Sequence, residues 1–213
     1  MKTHDLIAAL AVDMAPVDAS RADRWFMAKL VAGGLVAMVA MMLGLGPRSD
    51  IASAVWLPMF WLKLAFPAAL AIATLVVLRR LAHPGMRLGR SPLAVAAPVA
   101  LVWLMAGAAL LMAGAGERLP LILGETWTQC PVSIAVLSIP ATVLAFWALR
   151  GMAPTRLSLA GGVAGLFGGA AAALAYALHC PEMGAPFLAV WYVLGMLVPA
   201  GVGTLLGRRL LRW

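Results

Sequence analysis

Residues 55–78 read VWLPMFWLKLAFPAALAIATLVVL, and Arg79-Arg80 follow at once. The run carries one charge, Lys63, and no Asp or Glu. A bilayer-spanning helix needs about 20 predominantly apolar residues, so this stretch predicts a transmembrane helix stopped by a pair of arginines. Five further runs of the same kind lie at about 27–46, 93–114, 131–149, 157–178 and 185–206. Turn and breaker residues punctuate them, among them Gly46-Pro47, Pro84-Gly85, Cys130-Pro131 and Pro154. The expected fold is therefore all-α, a polytopic membrane protein of six helices. The composition agrees: 64% of the 213 residues are hydrophobic and 11% charged, against about 45–50% and 25% in soluble domains.

The distribution of Lys and Arg predicts the orientation. Lys2, Arg21, Arg24 and Lys29 precede or open the first span; Arg79, Arg80, Arg87 and Arg90 fill the second connection. Arg150 and Arg156 flank the fourth, and Arg208, Arg209 and Arg212 close the chain. Only Arg48 and Arg118 fall on the other side, so both termini are expected in the cytoplasm. The net charge of +8 is then a matter of topology, with no need of nucleic acid. Trp56, Phe60, Trp61, Trp127, Tyr176 and Trp191 read as an aromatic belt at one face, and Trp25, Trp147 and Trp213 as one at the other. The preference for Arg over Lys hints at a GC-rich bacterial genome, which would make the membrane the inner one. Leu6 to Val12 is too short for the apolar core of a signal peptide, so no cleavage is expected.

Three parts follow: an N-terminal segment 1–26, a membrane domain 27–206 and a basic tail 207–213. No connection is long enough to build a core of its own. Walker A, HExxH, CxxC and GxSxG patterns are absent from the sequence. Soluble catalysis is excluded, and neither a cofactor nor a small-molecule substrate is expected. Transport, membrane redox chemistry and signalling through short exposed segments remain.

On a helix starting near Thr3, Leu6, Ile7, Leu10 and Met14 fall on one stripe while Asp5 and Asp13 lie off it. Thr3 suits the N-cap, Asp5 the positive end of the helix dipole, and Pro16 stops the helix. A helix this short is marginal alone in water. It is expected to order on a partner's groove or to lie on the bilayer, although interfacial helices usually carry Lys and Arg on the polar face.

The two cysteines, Cys130 and Cys180, are each followed by Pro. The residue midway between them in sequence is Thr155, in the turn joining the fourth and fifth spans. Both thiols are thus expected at one height on the periplasmic side, where disulfides are permitted. Trp127, His179 and Glu182 stand beside them as candidate supporting groups. A static disulfide, a redox-responsive thiol pair, a soft-metal site on Cys130, His179 and Cys180, and inert packing are all compatible with this pattern. Lys63 is an intramembrane charge, hence a functional candidate, whose stem could also snorkel outward. Gly161, Gly165 and Gly169 form a small-xxx-small ridge for close helix packing.

The whole chain resembles the NrsF-type anti-sigma factors, a family of six-span membrane proteins. The resemblance is carried by the opening MKTHDLIAALAVDMAPV, by Lys63 in WLKLAFPAALA, by His83-Pro84-Gly85, and by Trp127 three residues before Cys130. ALRGMAPTRLSLAGGVAGLFGG, YALHCPE at 176–182, FLAVWYVLG at 187–195 and the closing LLGRRLLRW complete it. It implies that the cytoplasmic N-terminus, through Leu6, Ile7, Leu10, Asp13 and Met14, holds an extracytoplasmic-function sigma factor at the membrane. It also implies that Cys130 and Cys180 sense an envelope stress, with oxidants or thiol-reactive metals as candidates. The competing expectations are a small transporter or channel, whose spans would need polar or acidic lining, and a thiol oxidoreductase passing electrons to quinone, which would need a second cysteine pair.

Overall fold

A computed structural model of the full chain describes residues 3–5, 7 and 19–212. Among these residues there is helix and no strand. Six helices are long and apolar enough to cross a bilayer: α1 (Ala19–Gly44), α2 (Pro58–Ala82), α3 (Ser91–Met112), α4 (Gln129–Arg150), α5 (Leu157–Tyr176) and α6 (Ala185–Leu210). Short helices at Ile51–Ala54 and Arg118–Leu123 sit in the first and third connections.

The helices outrun the hydropathy. α1 is helical from Ala19, ahead of the apolar run, and α6 continues through Arg208 and Arg209 to Leu210. Charges mark where the bilayer's apolar layer ends, whereas the helix ends where its hydrogen-bond ladder ends. The boundaries at 27 and 206 expected from sequence therefore mark polarity and not structure. α5 stops earlier than expected, at Tyr176, and a last turn carries the chain to Cys180, whose amide donates to the Tyr176 carbonyl at 3.0 Å. α6 contains one π-turn, Leu188–Tyr192, which no hydropathy pattern signals.

α5 is the centre of the bundle. Its glycine ridge meets α6 backbone to backbone: a Cβ on Gly165 would strike the Pro199 carbonyl, one on Gly161 the Gly203 carbonyl, and one on Gly169 would lie 2.8 Å from the Met196 Cα. Gly168 faces α4 at Thr142. The expected close packing is present, and its main partner is α6, the C-terminal neighbour. α3 is the peripheral helix, with Val102 and Ala106 reaching the core.

Contacts between helix ends identify the two ends of the bundle. At one end Asp23 of α1 pairs with Arg79 of α2 at 2.6 Å. There too Arg150 of α4 donates to the Leu210 carbonyl at 2.6 Å and Arg208 of α6 to Ser158 of α5 at 2.9 Å. Lys29 lies over the Trp147 ring, 4.3 Å from its centroid. This basic end carries the beginning of α1 and the end of α6. The opposite end carries both cysteines.

Two aromatics assigned to a membrane belt turn inward: Phe60 and Tyr176 are buried. Trp25, Trp56, Trp61, Trp127 and Trp147 are exposed, as a belt requires. Trp213 lies outside the described residues.

Candidate functional site: the cysteine end of the bundle

Cys130 begins α4 and Cys180 ends the turn after α5. Both are fully buried with free thiols, and both belong to one core cluster with Tyr176, Phe187, Tyr192 and Met196. The fold thus brings together the two cysteines that the sequence placed at one height.

The turn Cys180-Pro181-Glu182 is where the connections converge. Pro181 has no N–H, and residues 180–184 adopt neither helix nor strand, so the carbonyls here depend on donors from elsewhere. Lys63 of α2 supplies two: its Nζ donates to the Cys180 carbonyl at 2.5 Å and to the Glu182 carbonyl at 2.8 Å. Arg48, in the first connection, donates Nη1 to the same Cys180 carbonyl at 3.5 Å and its backbone amide to the Leu178 carbonyl at 3.1 Å. His179 donates Nδ1 to the Gly46 carbonyl at 2.8 Å. From the third connection, the Glu125 amide donates to the Glu182 carboxylate at 2.7 Å.

Lys63 is completely buried and does not snorkel. A buried charge is tolerated when hydrogen bonds satisfy it, and charge-assisted bonds contribute about 1.5–3 kcal/mol each. The Tyr192 ring lies 5.8 Å from Nζ, at the outer edge of a cation–π contact. Tyr192 is itself fully buried, in the same core cluster as Cys180.

Outside the spans, Arg48 grips Asp50 through two bonds, at 2.5 and 2.6 Å. This hydrogen bonding holds the Asp50 carboxyl below its ordinary value and raises Arg48 above its own. Arg48 is therefore a fixed positive charge beside the Cys180 turn.

Trp127 and Trp191 stack obliquely with centroids 5.2 Å apart, and the Trp191 indole donates to the Ile122 carbonyl at 2.8 Å. Gly124 adopts φ +57, and a Cβ there would lie 2.8 Å from the Glu182 carboxylate. The third connection is thereby fastened over the Cys180 turn. Trp127 and Glu182 act on this fastening, and His179 is tied to Gly46. Among the described residues no group of three or more His, Cys, Asp or Glu is arranged to hold a metal.

Sequence reasoning missed Arg48, Tyr176, Tyr192 and the Gly46 carbonyl as neighbours of the thiols. Tyr176 in YALHCPE was the available signal, being a polar aromatic one helical turn from Cys180. Arg48 and Tyr192 carry no local signal.

Ile7 is helical and exposed, as are Thr3, His4 and Asp5. Leu6, Leu10, Asp13 and Met14 lie outside the described residues.

The model of the family Negative regulator of sigma F, NrsF, matches residues 10–213. A protein of Azospira oryzae named probable anti-sigma-F factor NrsF is 44% identical over 213 residues, covering 100% of both chains. The anti-sigma-F factor NrsF of Caulobacter vibrioides is 39% identical over 215 residues, again covering 100% of both. No solved structure matches the chain. With the match running end to end, the chain belongs to the NrsF family, whose members are regulators and not enzymes.

Proposed function

We propose that this protein is an anti-sigma factor of a bacterial inner membrane. Its N-terminal segment holds a sigma factor of the extracytoplasmic-function type, and both termini face the cytoplasm. The observation that carries this reading is the end-to-end identity with two proteins named anti-sigma-F factors. The skew of Lys and Arg toward the N-terminal end supports the orientation, and exposed Ile7 leaves part of the apolar stripe free for a partner groove.

Release follows modification of Cys130 and Cys180 by a periplasmic oxidant or thiol-reactive metal. The separation of the thiols from the N-terminus by the length of the bundle supports a sensor at one end and an effector segment at the other. A ligand or modification shifts such an equilibrium only by its differential interaction with the two states. Repacking two buried thiols at the junction of four connected segments provides that difference.

The test is affinity purification from gently solubilised native membranes. A sigma factor should accompany the full-length protein and be lost when residues 2–15 are deleted, while the deleted protein stays in the membrane. Recovery of abundant intact protein with no sigma factor would overturn the proposal.

A further inference from the structure

Lys63 is the group whose surroundings the thiol-sensor reading leaves unused. Glu182 turns its carboxylate to the Glu125 amide and only its main-chain carbonyl to Lys63, and Asp50 is held by Arg48. The side chains of Cys180, Cys130 and Arg48 act on the ammonium, as does Asp50 from beyond Arg48, with the Tyr192 ring beside it. Neither hydrogen-bond acceptor of Lys63 is a carboxylate. An ammonium buried with no salt-bridge partner among the described residues is expensive to keep, and the fold places this one against a turn of irregular backbone.

That turn contains Cys180. Its two carbonyls accept from Lys63 on either side of Pro181, and Cys180 within it is wholly buried. We propose that Lys63 is a positioning residue for Cys180: its ammonium clamps the Cys180-Pro181-Glu182 turn by two carbonyls, keeping the Cys180 thiol covered until the turn is released. The biological meaning of the clamp rests on the thiol-sensor reading; the clamp itself does not.

The clamp has a second consequence. It is mounted on α2, whose opposite end shares a buried apolar cluster with the beginning of α1: Val77, Leu78, Leu81 and Ala82 lie with Phe26 and Leu30. α2, with Pro67 in its interior, therefore touches the thiol turn at one end and the helix leading from the N-terminal segment at the other. Release of the turn removes a restraint on α2, and α2 is packed where α1 begins.

The experiment measures labelling of Cys180 by a small neutral maleimide in membranes carrying the full chain, quantified by mass spectrometry. Lys63→Met keeps the bulk of the side chain and deletes the donors; Lys63→Arg keeps charge and donors. A control chain with both cysteines changed to Ser and Ser138→Cys reports general loosening, because Ser138 is buried within α4. Deleting two charge-assisted hydrogen bonds should raise local opening, and with it Cys180 labelling, by roughly 10-fold or more. The expected pattern is fast labelling in Lys63→Met, slow labelling in Lys63→Arg, and no acceleration of the Ser138→Cys control by Lys63→Met. Any other pattern overturns the clamp. Since labelling needs no sigma factor in the membranes, its outcome is separate from that of the copurification.

Discussion

Lys63 Nζ donates to the main-chain carbonyl of Cys180 at 2.5 Å, although the two residues stand 117 positions apart. The contact joins a helix from the first half of the chain to a turn in the second. It changes the meaning of both residues: the intramembrane cation has a structural partner, and the thiol sits in a segment held by side chains from elsewhere.

The double change Cys130→Ser and Cys180→Ser should leave sigma retention intact and abolish the response to oxidants. Serine is close in size, and both thiols are buried without a disulfide, so packing should survive. A sigma-dependent reporter measures both properties at once. A normal induction in the double mutant would remove the thiols from the mechanism.

Gly165→Val should destabilise the bundle by about 1–3 kcal/mol or more. Its Cβ would strike the Pro199 main chain, which no rotamer change relieves. Gly34→Ala, inside α1 with nothing within 4 Å of its Cβ, should be neutral or stabilising by up to about 1 kcal/mol. Thermal unfolding in detergent compares the two, and equal midpoints would contradict the tight α5–α6 seam.

Gly124→Ala should loosen the third connection, costing about 1–3 kcal/mol from its essentially glycine-only backbone conformation alone. The new Cβ would also crowd the Glu182 carboxylate and weaken its bond to the Glu125 amide. Amide exchange at Glu125 should accelerate, whereas exchange at the basic end should not change. Unaltered protection at Glu125 would show that the Glu182 bond does not depend on glycine at this position.

Asp50 should titrate below the ordinary carboxylate value, because Arg48 hydrogen-bonds its charged form. A carboxyl depressed in the folded state adds stability above its unfolded pKa, about 3.9, and loses it as pH falls through the lower folded value. The Arg48–Asp50 contribution is therefore complete at neutral pH and disappears only in acid. Carboxyl NMR of Asp50 in nanodiscs measures this, and Arg48→Gln should return the titration to the ordinary value. Titration at the ordinary value in the parent protein would show that the pair does not form in the membrane.

Much of this could be read along the chain. The six spans are local: each is a run of apolar residues long enough to span, and helix is the form that satisfies every backbone group inside lipid. The glycine ridge of α5 was also visible, because small residues at every fourth position align on one helix face. What ridge spacing cannot name is the partner, and α6 proved to be the principal one. The inward turn of Phe60 and Tyr176 was not visible, since a residue near a membrane interface looks the same whether it faces lipid or core.

Sequence by itself determined the all-helical, six-span class, the asymmetry of charge between the two ends and the common height of Cys130 and Cys180. These are properties of hydropathy, charge and distance along the chain, and the bilayer converts them directly into spans and ends. Tertiary structure alone decided that Lys63, Arg48 and Tyr192 surround Cys180, and that Glu182 presents its carbonyl to one neighbour and its carboxylate to another. Those contacts depend on the rotation of each helix about its axis and on a π-turn in α6. Both are set by how side chains from several helices pack at once, which no single stretch of sequence encodes.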